Sequence, residues 1–234
     1  MRQTQRPSTR ALVIPGLFIR VPAHGKQHRM MQLTMRILYQ SAFDVVLLCL
    51  PAGTNPVNSC TVLIDDRSSG TLQSSSAGEW RLVTDRVMGG RSSGELLADH
   101  YLGNSCLRLR GLVSTANNGG FVQMALDLAG GEHYDASAHD GIELEVAGNG
   151  EHYNLQLRTS NLWLPRQSYR ARFNAGPQWR KIRIPFNEFE AYRTSSRFQA
   201  DKLNRIGVVA IGRDFKADLC LAGLCLYRNA GSAP

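Results

Sequence analysis

The chain has 234 residues, of which 43% are hydrophobic and 20% charged, an ordinary globular composition with enough apolar material for a sizeable core. Its formal charge of +8 does not point to nucleic acid: Arg2, Arg6, Arg10, Arg20, Lys26, Arg29 and Arg36 all precede the first acid, Asp44, and without those seven the remainder carries +1. Cys49, Cys60, Cys106, Cys220 and Cys225 form no CxxC and no metal-ligand spacing, which predicts buried free thiols in a reducing compartment rather than a disulfide framework.

Residues 1–59 read as a basic N-terminal extension followed by a linker. Met1 to Arg36 carries no sustained hydrophobic period, and Met30, Met31 and Met35 each offer a later start. The apolar run Val45 to Leu50, interrupted upstream by Asp44, is too short for a secretory signal and falls well below the roughly 20 residues a membrane span requires. Pro51, Gly53, Asn55, Pro56 and Asn58 form the linker, and the folded domain is expected over residues 60–230. A cytoplasmic setting follows from the cysteines, with an organelle matrix or export as the alternatives the leader leaves open.

From residue 60 the chain reads as strands. Thr61 to Ile64 is a short apolar run closed by Asp65 and Asp66. Trp80, Leu82 and Val83 lead into the stretch that organises the chain, WRLVTDRVMGGRSSG, in which Gly89, Gly90 and Gly94 supply turn chemistry and Asp85 is placed to accept backbone N–H groups. Glu95 to Leu102 has the length of a short helix. Cys106 to Arg110 alternates with period two, Asn117-Asn118-Gly119-Gly120 marks a tight turn, and Val122, Met124, Leu126 and Leu128 share one strand face. Asp140-Gly141 opens the alternating run Ile142 to Val146, and Gly148-Asn149-Gly150 turns into Tyr153 to Arg158. Tyr169, Ala171 and Phe173 alternate with Arg170, Arg172 and Asn174, and Trp179 to Phe186 alternates again. One helical turn fits Asn187 to Tyr192. Ile206 to Ile211, nearly all apolar, reads as a central strand, and Leu219 to Tyr227 as the last. Many short strands joined by Gly/Asn turns predict an all-β sandwich or jelly roll.

Catalytic signals are thin. Gly90-Arg91-Ser92-Ser93-Gly94 matches the G-x-S-x-G of a hydrolase elbow, but that motif requires a parallel sheet with following helices, and no βαβ repeat is present. No Gly-Lys-Ser/Thr follows the glycines, so a phosphate loop is excluded. Glu143 and Glu145 are i, i+2 neighbours rather than opposed carboxylates. His133, Asp135, His139 and Asp140 lack ligand spacing, and Asp65 with Asp66 is a weak calcium pattern. We expect no catalytic residue, no metal and no cofactor.

The string W-x-x-V-x-D-x-V-M-G-G-x-S-x-G, here Trp80 to Gly94, resembles the opening signature of the complex I intermediate-associated protein 30 family. The resemblance continues in Asn117 to Phe121 (N-N-G-G-F), in Asp140, Gly141 and Ile142 followed by Gly148, Gly150 and Tyr153, and in Tyr169 and Phe173 ahead of Trp179, Ile182, Ile184, Pro185 and Phe186. Ile206, Gly207 and the run Leu219 to Leu226 complete it, so that it spans about Val62 to Tyr227. The chain departs at Arg193-Thr194, where the family often carries arginine–glycine. The resemblance implies a galactose-binding-like jelly roll, with Trp80, Asp85, Gly89, Gly90, Asn118, Gly119, Gly120, Asp140 and Gly141 as structural motif residues. It also implies a non-enzymatic assembly factor whose partner is a protein, either respiratory complex I subunits or another membrane-associated complex. The fold alone offers a glycan-binding module as the alternative.

Strand parity nominates the working surface. With the leucines and aromatics inward, Glu143, Glu145, Gln156, Arg158, Arg170, Arg172, Lys181 and Arg183 face outward, either as a ladder of structural ion pairs or as a contact surface for an acidic protein. Arg158, Arg170, Arg172 and Arg183 are the nominated contacts, with Trp163 or Tyr169 as an aromatic platform. Because the leader has too few periodic apolar residues to join the core, a chain beginning at Ser59 is expected to keep its cooperative thermal melt. A midpoint lowered by several degrees on truncation contradicts this.

Overall fold

Two six-stranded antiparallel sheets face each other and enclose one apolar core. The computed structural model describes residues 60–229; the leader, the Val45–Leu50 run and the linker lie outside the described residues. The strands are β1 (Cys60–Asp65), β2 (Arg81–Thr84), β3 (Ser93–Tyr101), β4 (Asn104–Val113), β5 (Phe121–Asp127), β6 (Gly141–Gly148), β7 (His152–Thr159), β8 (Ser168–Asn174), β9 (Arg180–Pro185), β10 (Glu190–Tyr192), β11 (Leu203–Ile211) and β12 (Phe215–Tyr227). The first sheet runs β3-β4-β12-β6-β9, with β1 added along β12; the second runs β10-β8-β7-β11-β5-β2.

Alternation fixes which side chains meet in the middle. Leu107 and Leu109 of β4, Ile142 and Leu144 of β6, and Leu219 and Leu221 of β12 are fully buried, as are Tyr153, Leu155 and Leu157 of β7 and Met124 and Leu126 of β5. Truncating any one of these leucines to alanine removes about 2–5 kcal/mol. Ile206–Ile211 is central as expected, between β7 and β5. Of Glu95–Leu102, helix-like in length, all but Leu102 belongs to β3 and pairs with β4, and that ladder overrides a weak local preference; Leu102 lies in the β3–β4 turn. The turn expected over Asn187–Tyr192 divides into a 3₁₀ turn at Phe186–Glu188 and the edge strand β10.

The two signature turns are not hairpins. β2 and β5 lie in the second sheet while β3 and β4 lie in the first, so both the Gly89-Gly90 turn and the Asn117–Gly120 turn carry the chain from one sheet to the other. Asp85 ties them together. Its carboxylate is fully buried and accepts from Ser92 N–H at 2.9 Å, Ser92 Oγ–H at 2.5 Å and Phe121 N–H at 3.3 Å, and from Gly120 N–H. Gly90 and Gly119 are required because a Cβ on either collides with that carboxyl group, and Gly89 adopts φ 85. Asn118 sits in the short 3₁₀ turn Ala116–Asn118. A second buried carboxylate acts at the other end of β2: Asp65, the last residue of β1, accepts from the Trp80 indole N–H at 2.7 Å and from Arg67 Nη1 at 2.5 Å. At the start of β6, Asp140 accepts from Asn229 N–H at 2.7 Å, and a Cβ on Gly141 would meet Pro185 and Tyr227 at 2.8 Å.

The cysteine expectation is corrected. Cys60 and Cys225 form a disulfide with Cα atoms 5.8 Å apart, joining β1 to β12 across 165 residues of sequence. Sequence spacing could not reveal it, because only the β1–β12 pairing brings the first and last strands together. Closing a loop of that length stabilises by roughly 5 kcal/mol on the chain-entropy model. Cys106 and Cys220 are free and buried, as expected of them; Cys49 lies outside the described residues.

Burial pushes the Asp85 carboxyl up, but the Ser92 hydroxyl and the Gly120, Phe121 and Ser92 N–H groups outweigh it and hold the group below the usual carboxylate range. A depressed folded value stabilises the native state above the unfolded carboxyl value of about 3.9, and the contribution is lost as pH falls through the lower folded value. Asp85→Ala, which orphans these buried donors, is expected to cost at least about 3 kcal/mol in urea unfolding. Asp85→Asn is expected to flatten part of the wild type's loss of stability below about pH 4. An unchanged acid limb in Asp85→Asn contradicts the assignment.

Candidate functional site

The outward face of the second sheet is built by parity. His152, Asn154 and Gln156 of β7 lie opposite Asn174, Arg172 and Arg170 of β8 on one side, and Asn154, Gln156 and Arg158 lie opposite Val209, Gly207 and Arg205 of β11 on the other. Gly207 leaves room for the Gln123 side chain, which a Cβ there would strike. At the edge, the Arg170 guanidinium stacks 3.4 Å over the Tyr192 ring of β10 and donates to Ser168 Oγ at 3.1 Å. Burial pushes the Arg170 pKa down, against the opposing pull of Tyr192.

Arg158 does something the sequence does not suggest. Its guanidinium is turned into the β7–β8 connection and donates to the carbonyls of Leu164 (3.0 Å), Pro165 (2.7 Å), Gln167 (2.6 Å) and Leu162 (3.4 Å). Burial and the neighbouring Arg205 push its pKa down. The Gln167 side chain also accepts from Leu164 N–H at 3.0 Å. The loop so pinned presents Trp163, 92% exposed, beside the exposed Leu164. Arg158 is therefore a positioning residue for Trp163 rather than an outward cation.

The expected single polar face is divided between the sheets. β6 and β9 belong to the first sheet, where Glu143 pairs with Arg183 at 2.6 Å and with Lys181 at 3.8 Å. The Gly148–Gly150 turn takes the chain across to β7, so Arg158, Arg170 and Arg172 stand on the opposite side of the molecule from those acids. Parity along each strand was right; parity says nothing of which sheet a strand joins. Tyr169 is also corrected as a platform. It is 1% exposed, its hydroxyl donates to the Ser196 and Arg197 carbonyls at 3.2 and 3.0 Å, and its ring packs edge-on to Phe198.

Of the outward arginines of the second sheet, Arg172 alone among the described residues makes no hydrogen bond, ion pair or ring contact. It borders a cleft of about 420 Å³ with His152, Asn154, Ile211, Gly212 and Arg213. His152 and Asn154 extend the Gln156–Arg158 alternation and were legible by counting back in twos; Arg213, from the β11–β12 connection, was not. A groove of about 650 Å³ on the outward face of the first sheet is lined by Asp66, Glu143, Glu145 and Lys181 over Gly223.

The serine of the G-x-S-x-G string is not presented as a nucleophile. Ser92, fully buried, spends its hydroxyl on Asp85 and accepts from Ser114 N–H at 3.0 Å, and no group of three metal-binding side chains gathers among the described residues. The model of the family described as complex I intermediate-associated protein 30 (CIA30) matches residues 70–218. The chain belongs to the CIA30 family. In this CIA30 member the signature residues Trp80 and Asp85 are fully buried and, with Gly90 and Gly119, join the two sheets. No curated protein sequence matches the chain. Among solved structures, a family 11 carbohydrate-binding module from Clostridium thermocellum, in complex with a β-1,3-1,4-mixed-linked tetrasaccharide, superposes with TM-score 0.56 at 14% identity, over 71% of this chain and 95% of that one. The family 11 module of the cellulosomal cellulase Lic26A-Cel5E of the same organism gives 0.56 at 12% identity, over 72% and 94%. At that identity the likeness establishes the jelly-roll fold.

Replacing Arg158 by Gln is expected to speed amide hydrogen exchange across residues 160–167 while β5, β7 and β11 keep their protection, with a stability loss of about 1–3 kcal/mol. Unchanged exchange in that loop contradicts the pinning role.

Proposed function

We propose that this CIA30 protein is an assembly factor that holds a protein partner against the outward face of its second sheet. Trp163 is the apolar anchor, and Arg172, with Arg170 at the rim, supplies the electrostatic contact. The partner is a subunit of respiratory complex I or of another membrane-associated complex, as the family description suggests. The observation that carries the reading is a tryptophan 92% exposed on a loop whose carbonyls a half-buried guanidinium holds. The backbone on either side of that ring is already held, so docking it into a partner's pocket costs less ordering entropy than on a free loop, and tryptophan is among the residues most enriched at binding hot spots.

A glycan-binding role, which the shared fold brings to mind, asks for several open aromatic platforms. Tyr192 is covered by Arg170, Tyr169 is turned inward and buried, and Trp163 is the one exposed aromatic among the described residues.

Affinity capture from native cells with mass spectrometry tests the proposal. Respiratory subunits are expected to be enriched on the wild-type chain and reduced by on the order of thirtyfold on Trp163→Ala, the effect of a hot-spot truncation. Equal recovery on both chains, or a bare bait that instead gives a glycan-array signal, overturns it.

A further inference from the structure

The cleft beside Arg172 holds the one outward guanidinium of the second sheet that the described protein leaves unused. Every other arginine on that face is occupied. Arg158 is spent on four carbonyls, Arg170 on Tyr192 and Ser168, and Arg81 and Arg205 on Asp127. Arg213, on the far wall of the cleft, is paired with Glu151 and lies 4.4 Å over the Phe215 ring. Against these, Arg172, the Asn154 amide and the His152 ring face the same cleft, and none has a hydrogen-bond partner within the described residues. The floor is Ile211 and Gly212, and Gly212 adds no side chain to fill the space.

We propose that this cleft seats a carboxylate, the side chain of an aspartate or glutamate on the docked partner. The proposal rests on the reading that a protein docks on this face. Cross-strand register places Arg172 directly opposite Asn154, so a planar guanidinium fork and a neutral amide donor converge from adjacent strands. A fork beside a second donor matches the two oxygens of a carboxylate. Charge decides between anions. With Arg213 neutralised by Glu151, the cleft offers one uncompensated permanent positive charge, which balances a carboxylate monoanion and leaves a phosphate dianion short of a partner. A uronic-acid sugar also carries a carboxylate, but its ring needs an open aromatic surface beside it. The aromatic residue of the cleft lining, Tyr153, is buried, with its ring packed in the core against Phe173 and Phe215.

The test uses the full chain and four probes: a pentaglutamate peptide, its pentaglutamine counterpart, an oligogalacturonate and inorganic phosphate. Binding is read from the NMR resonances of the Arg172 Nε–H and the His152 ring. Pentaglutamate is expected to move both, pentaglutamine neither, and a rise in salt to weaken the effect. Arg172→Gln is expected to weaken pentaglutamate binding on the order of tenfold to hundredfold, the contribution of hydrogen bonds to a charged group. Arg172→Lys, which keeps the charge and loses the fork, is expected to fall between. Because Arg172 is exposed and unpartnered, Arg172→Gln is expected to melt like the wild type; if it does not, the same titration on Asn154→Ala, expected to weaken binding severalfold, decides instead. Absence of pentaglutamate shifts, equal binding to Arg172→Gln and wild type, or tighter binding of oligogalacturonate or phosphate overturns the proposal. Partner capture lost in Trp163→Ala but fully retained in Arg172→Gln overturns the cleft and leaves the assembly reading standing. Pentaglutamate binding without any captured partner supports the cleft and removes the assembly reading.

Discussion

The buried Asp85 carboxylate is the constraint on which the sandwich depends. Two sheets packed face to face need their crossings held in register, and here two crossings meet at one charge. The Ser92 N–H and hydroxyl come from the crossing into β3, and the Gly120 and Phe121 N–H groups from the crossing into β5. A buried anion is tolerable only when its lone pairs are filled by well-placed donors, and then the same low dielectric that makes burial expensive strengthens each bond. The glycines follow from this. Gly90 and Gly119 lie next to one another and both press against the carboxyl group, and only residues without Cβ come that close. The other end of β2 repeats the device with Asp65, the Trp80 indole and Arg67. A four-residue edge strand, too short to hold itself, is fastened at both ends to the opposite layer.

The outward faces of the two layers are finished differently. On the first sheet, Arg108 joins Asp218 at 2.7 Å and Asp99 at 3.0 Å, and Glu143 takes Arg183 and Lys181. Those charges satisfy one another across strands, as a solvated face does. On the second sheet the arginines outnumber the acids, and all but one are used in building the surface: one holds a loop, one covers a ring, two share Asp127. What is left over among the described residues is an exposed tryptophan on a pinned loop at one end of the β7–β8 ladder and an unpartnered guanidinium at the other. In the proposed docking these would serve as an apolar anchor and a separate charged contact, the division of labour expected at a specific protein interface.

The cysteines belong to the same architecture. β12 is the longest strand, with β4 along its first half and β1 along its second half on one side and β6 on the other, and its register against β6 shifts between Leu221 and Gly223. The Cys60–Cys225 link fastens β1 to the second half of that strand, where the ladder is also interrupted by bulges. A covalent tie placed where hydrogen bonding is least regular restores the order that the bulges remove.

Period-two alternation by itself determined the strands and their inward faces, because burying one side of a pleated strand forces every second residue to be apolar. It placed Leu155, Leu157, Met124 and Leu126 in the core and Arg170 and Arg172 outside it, and the turn residues marked where each strand ends. The apolar uniformity of Ile206–Ile211 also announced a central strand. Alternation is a property of one strand, however, and carries no information on partners. Which sheet each strand joins, that Asp85 reaches two crossings, that Cys60 lies beside Cys225, and that Arg158 points into a loop while Arg172 stays free were decided by tertiary structure alone. Each depends on contacts between residues far apart in the chain, where the register of one strand against another, and not the local pattern, sets which groups meet.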